Sequence, residues 1–217
     1  MKQFINVIVL LLVTCFMFVG CTEERQYEAN VASGDIAKFT LFTYDGKGES
    51  VWGLANLGHT FLSIENISQD TITIGKKNLN VGETIALGTW SIKEHFGVWY
   101  NVESNYIAEH NKYDGRVSIT IGITAEDLEK INHAILSNDR WNPLNNCSHF
   151  ALHVYNQVAS DTEYIKTPLI HTPSYIAKNI KKFANHEYNK AIPTDKHLGF
   201  FRNTEFVSYN LEKAVGV

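Results

Sequence analysis

The chain has 217 residues and a formal net charge of −4. It carries no basic patch of the kind that holds nucleic acid, so no nucleic-acid partner is expected. Its length suits one domain of ordinary size, large enough to bury a core without disulfide staples.

Met1-Lys2-Gln3 precede an apolar run from Phe4 to Val19, broken only by Asn6, Thr14 and Cys15 and followed by Gly20-Cys21. The run falls short of the ~20 residues and polar flanks of a membrane span, which is the pattern of a processing signal and not of a fold element. Residues 1–20 resemble a bacterial lipoprotein signal peptide, with Phe18-Val19-Gly20-Cys21 in the lipobox position and Phe18 where that family most often has Leu. The resemblance implies that Cys21 becomes the lipidated first residue and anchors the protein to a membrane. It places the domain in the cell envelope, with the outer membrane as the expected location. An uncleaved anchor is the alternative, and it too puts the domain outside the cytoplasm. Residues 21–35 are polar and acidic without an apolar period, and read as a flexible tether. Glu23 and Glu24 resemble the surface-export signals of some Bacteroidetes lipoproteins, although a solvated linker explains them as well.

From Ile36 to about Ile121, β-branched and aromatic residues punctuated by Gly, Asn and Asp predict a series of strands. These are Lys38–Tyr44, His59–Glu65, Thr71–Ile74, Thr84–Leu87, Val98–Glu103 and Val117–Ile121. Helical signals follow. Thr124-Ala125-Glu126-Asp127 reads as a variant capping box, with Leu128, Ile131 and Ile135 on one face. A second helix is expected from Cys147 to Val158, and Thr172-Pro173-Ser174 opens a third that reaches about Phe183. Strands first and helices second give an α+β class, an antiparallel sheet or small barrel packed against helices. Residues 36–185 are taken as the domain, and 186–217 as a tail packing across its surface.

Once Cys15 leaves with the signal and Cys21 takes lipid, Cys147 is the one remaining thiol. Positions 147, 150, 151, 154, 155 and 158 are Cys, Phe, Ala, Val, Tyr and Val, so the thiol begins a core-facing stripe. Asn142-Pro143-Leu144-Asn145-Asn146 cannot readily continue a helix upstream and supplies amide side chains for capping. A cysteine in a helix's first turn feels the positive end of the dipole, which favours the thiolate, and the unpaired amides there can hold an oxyanion. The plainer alternative is a small buried hydrophobe that contains sulfur. A thiolate nucleophile needs an imidazole to take and return its proton. Of nine histidines, His59 stands out because it follows Gly58 at the start of a strand.

The stretch Asn145-Asn146-Cys147-Ser148-His149-Phe150-Ala151, with Gly58-His59 upstream, resembles the circularly permuted papain-like superfamily. That superfamily includes the lecithin retinol acyltransferase group and permuted cell-wall amidases. The acyltransferase motif Asn-Cys-Glu-His-Phe is matched at Asn146, Cys147, His149 and Phe150, but Ser148 replaces its Glu. The resemblance implies a papain-like fold in which the histidine strand precedes the cysteine helix. It implies Cys147 as nucleophile, His59 as general base and then acid, and the Cys147 amide in the oxyanion hole. A third polar group normally orients the histidine; Glu103 is the first candidate, with Asn101, Thr73 and Ser63 behind it. The plainer reading of Glu103 is a surface carboxylate at a strand end.

No cofactor or metal is expected. His149 and His153 have zinc-ligand spacing, but the zincin pattern needs Glu at 150, which is Phe. Trp52, Trp90, Trp99, Tyr100 and Trp141 are candidates for a binding groove or for core. The function implied is a cysteine amidase or peptidase acting on peptide or peptidoglycan in the envelope. The alternatives are a lipid acyltransferase or thioesterase, and an inactive surface-anchored binding lipoprotein.

Overall fold

The computed structural model describes residues 32–46, 58–166, 170–194 and 197–210. The lipobox, Cys21, Glu23, Glu24 and Trp52 lie outside them. Ten strands and four helices are described: β1 (Ala37–Tyr44), β2 (His59–Asn66), β3 (Ile72–Ile74), β4 (Lys77–Leu79), β5 (Thr84–Ile92), β6 (His95–Tyr100), α1 (Val102–His110), β7 (Val117–Ile123), α2 (Ala125–Ser137), α3 (Cys147–Tyr155), α4 (Pro173–Ile180), β8 (Glu187–Tyr188), β9 (Gly199–Arg202) and β10 (Glu205–Ser208). Eight strands form one antiparallel sheet in the order β10-β9-β6-β5-β2-β1-β7-β8, and β3 and β4 form a separate hairpin. The protein is therefore α+β, with a large antiparallel sheet and a few helices.

Strands β1 and β2 are buried along nearly their whole length instead of alternating. The reason is that helices cover both faces of the sheet. On one face Phe39, Leu41, Leu62 and Ile64 meet the apolar stripes of α2, α3 and α4, including Ile131, Phe150, Tyr155 and Ile176. On the other, Phe42 and Phe61 stack at 4.9 Å between ring centroids and pack with Ala86 and with Ile107 of α1. With a cover on each side, even the polar positions of these strands are buried, Thr40, Thr43, Thr60 and Ser63 among them.

The capping signals act as expected. Thr124 accepts from the Asp127 amide while Asp127 accepts from the Thr124 amide, and Leu128, Ile131 and Ile135 are buried. Asn146 caps α3 by accepting from the His149 amide at 3.0 Å, and Thr172 caps α4 with Pro173 behind it. Three expectations need correction. The strand expected over Val98–Glu103 spans His95–Tyr100, after which Asn101 takes a left-handed conformation (φ 63) and turns the chain into α1. Asn tolerates that conformation, so one residue suffices to end the strand. A helix therefore sits among the strands, which breaks the simple order of strands followed by helices. The tail also does more than lie on the surface: β8 pairs with β7, and β9 pairs with β6 at Tyr100 and Gly199, so both edges of the sheet are extended from beyond residue 186.

Candidate active site

Three elements converge at the start of β2. Gly58 holds φ +76, and a Cβ there would run into the Tyr44 carbonyl and the Pro173 side chain, so glycine is the residue that lets the loop enter the strand here. The next residue, His59, is buried. From one face of the sheet, α3 brings Cys147 as its first residue, half-buried. From the other face, α1 brings Glu103 in its first turn, fully buried.

The imidazole joins the other two. His59 Nε2 lies 2.9 Å from Glu103 Oε1, and the ring also hydrogen-bonds the Cys147 side chain. Burial pulls the His59 imidazole down, but the charge and hydrogen bond of Cys147, then those of Glu103, outweigh it and raise its pKa to about 10. For Cys147 the sign is reversed. Burial pushes the thiol up, and the His59 charge and hydrogen bond, the Thr60 amide and the Ser148 hydroxyl together bring it below the ordinary value. The pair thus favours thiolate and imidazolium, the protonation state of a reactive cysteine.

Glu103 is also held by Trp90, whose indole N–H donates to the same Oε1 at 2.8 Å. Gly88, two residues earlier on β5, leaves the space the carboxylate occupies; a Cβ there would collide with Glu103 Oε1. Glu103 Oε2 is buried and makes no hydrogen bond. The Trp90 ring also packs on the imidazole in a tilted contact, with centroids 4.4 Å apart, and Tyr113 stacks on it at 5.6 Å. Tyr113 holds φ 61, rare for an aromatic residue and typical of functional sites. Burial first, then the charges of Glu103, Tyr106 and Cys147, hold its phenol well above the usual range.

Around the sulfur the backbone is arranged for anions. The His149 amide is taken by Asn146 Oδ1, and the Phe150 amide by the Asn146 carbonyl. Helix geometry leaves the Cys147 and Ser148 amides without intrahelical acceptors, at the positive end of α3. The Asn146 side chain also donates to the Pro143 and His171 carbonyls, tying together the two loops that flank the nucleophile.

The other sequence candidates go elsewhere. Asn101 accepts from the Ala86 amide and donates to the His197 carbonyl, a clamp between β5 and the tail. Thr73 bonds Asn78 on the separate hairpin. Ser63 shares the His59 face of β2 but sits four residues along it, about 13 Å away at strand rise. Trp99 is buried against Phe200, and Tyr100 lies in the main core. His149 stacks parallel to His153 at 6.0 Å and meets His171 edge-on at 4.7 Å. Among the described residues, no group of three His, Cys, Asp or Glu side chains is arranged to hold a metal ion. In sequence Trp90 is one of several groove aromatics, and Tyr113 carries no signal beyond the Asp114-Gly115 turn after it.

The chain matches no protein-family model, no curated protein and no solved structure.

Proposed function

We propose that this domain is a cysteine hydrolase of the amidase or peptidase type, with Cys147 as nucleophile, His59 as acid and base, and Glu103 as the group that orients His59. The observation that carries the reading is the buried imidazole that meets both the Cys147 side chain and, through Nε2 at 2.9 Å, Glu103. That line of three supports nucleophilic acyl transfer, and the chain order supports a permuted papain-like arrangement, since the histidine strand β2 precedes the cysteine helix α3.

In this mechanism the Cys147 thiolate attacks the acyl carbon and a C–S bond forms. The carbonyl oxygen becomes an oxyanion facing the amides at the head of α3. The imidazolium gives its proton to the leaving nitrogen as the C–N bond breaks. Water then attacks the thioester, His59 takes its proton, and the thiolate and a carboxylic acid are released. Glu103 keeps the ring oriented and supports its charge, and Trp90 holds Glu103 in place.

For context, the lipoprotein-like leader supports a lipid anchor at Cys21 in the cell envelope, with the outer membrane as the expected site. An amide bond in peptide or peptidoglycan is the substrate class that fits that compartment. The decisive experiment is alkylation of the folded protein with iodoacetamide from pH 5 to 9, comparing wild type with His59→Ala and locating the adduct by mass spectrometry. Rapid labelling of Cys147 on the acid side, slowed by about 10³-fold in His59→Ala, is the expected result. A Cys147 that reacts only after unfolding means a core cysteine and ends the enzyme reading.

A further inference from the structure

Beneath the thiol runs a row of buried hydroxyls that this mechanism does not use. Ser148 Oγ lies 3.1 Å from Thr60 Oγ1, which lies 3.0 Å from Thr43 Oγ1. Thr43 in turn donates to the Pro173 carbonyl, at the start of α4, at 3.1 Å. All three side chains are completely shielded from solvent. At the near end the Ser148 hydroxyl meets the Cys147 sulfur.

The protons in this row can be counted. Each hydroxyl has one, so three protons serve four contacts: sulfur to Ser148, Ser148 to Thr60, Thr60 to Thr43, and Thr43 to Pro173. A carbonyl only accepts, and so does a thiolate. With an acceptor at each end, one of the four contacts is left without a proton, and since Thr43 gives its own to Pro173, the gap falls among the three contacts nearer the sulfur. If the sulfur instead carries a proton aimed at Ser148, every contact is filled and all the donors point toward Pro173.

We infer that this row sets how readily Cys147 ionises, and that its two ends act in opposite directions. Ser148 offers the sulfur a donor and steadies the thiolate. Thr43, committed to Pro173, draws the Thr60 proton away and with it the proton of Ser148. Both are positioning residues, since they act through the sulfur and not on substrate. The inference rests on the reading of Cys147 as a reactive thiol. The other titratable groups facing this region are His59 from β2, Glu103 from α1 through His59, Tyr113 from the loop before β7, and His149 and His171 beside the head of α3. None of them is altered in the variants that follow.

The test is the pH profile of iodoacetamide alkylation at Cys147 in the full-length chain, with the adduct located by peptide mass. Ser148→Ala removes the donor, so the midpoint should rise by about one pH unit and the acid-side rate fall about tenfold. Thr43→Val removes the acceptor that holds the Thr60 proton. Thr60 then turns to Ser148 and Ser148 to the sulfur, and the acid-side rate should rise about three- to tenfold. The Pro173 carbonyl keeps its partner within the helix. Thr43→Ser should restore the wild-type profile. Thr60→Val frees Ser148 by another route and should shift the rate in the same direction, which keeps the test available if Thr43→Val does not fold. Unchanged or slower labelling in the valine variants, with normal wild-type labelling, overturns the inference and leaves the nucleophile reading standing. A wild-type Cys147 that resists labelling until denatured overturns both.

Discussion

Helices α1 and α2 differ in what their residues are for. Helix α2 carries a reciprocal capping box at Thr124 and Asp127 and turns Leu128, Ile131, Ala134 and Ile135 to the core. Helix α1 has no side-chain cap, begins after a left-handed Asn101, and buries Val102, Glu103 and Ser104 of its first turn. A helix that only has to pack follows the general rules of capping and period. A helix that must deliver a carboxylate to an imidazole gives up those rules at the delivering end. The comparison separates residues that hold the fold from residues that hold the site.

The largest effect expected from a single change on the packing side is at Ile131, fully buried in α2. Ile131→Ala should lower stability by about 2–5 kcal/mol in denaturant unfolding, from lost burial and the cavity left behind. The pH profile of Cys147 alkylation should stay as in wild type while the protein is folded. If the profile moves as well, the two regions are coupled and the distinction fails.

Glu103→Gln tests the other side. The Glu103 charge and hydrogen bond help raise the His59 pKa, and the His59 charge helps lower that of Cys147. Without the carboxylate, the imidazolium should lose its proton at lower pH and the thiol should ionise at higher pH. The window in which both are charged narrows from both sides, and acid-side alkylation should slow by about 10- to 100-fold. A profile identical to wild type would remove Glu103 from the site. Thr124→Ala is the mildest change, expected to cost about 1 kcal/mol through loss of the α2 cap and to leave alkylation untouched. Equilibrium unfolding measures the first and the iodoacetamide assay the second.

The same division explains what could be read from the sequence. Thr124, Asn146 and Thr172 announce their helices because a cap is a local bond between residues three apart. Strands β1 and β2 announce themselves by their β-branched and aromatic residues, Phe39, Thr40, Phe42 and Thr43 in one and Thr60, Phe61 and Ile64 in the other. Cys147 and His59 were legible as candidates because each sits at the start of an element, next to a capping residue or a glycine. Glu103 was named, but as the end of a strand. Its helix was hidden because the turn at Asn101 depends on bonds to Ala86 and His197, far away in sequence. Trp90 and Tyr113 became partners of His59 only through the packing of β5, α1 and the loop before β7, and no spacing in the chain records that. Strands β8, β9 and β10 were hidden for a related reason: short edge pairings take their register from the strand already in place.

Those late pairings bear on the order in which the sheet can be completed. The outer sides of β6 and β7 are partnered by residues that come after 186. A chain interrupted before Glu187 would hold Cys147, His59 and Glu103 yet present two open rows of backbone donors and acceptors, the kind of edge along which unfinished chains join one another. Synthesis thus reaches Cys147, His59 and Glu103 before it reaches the segments that close the edges of the sheet.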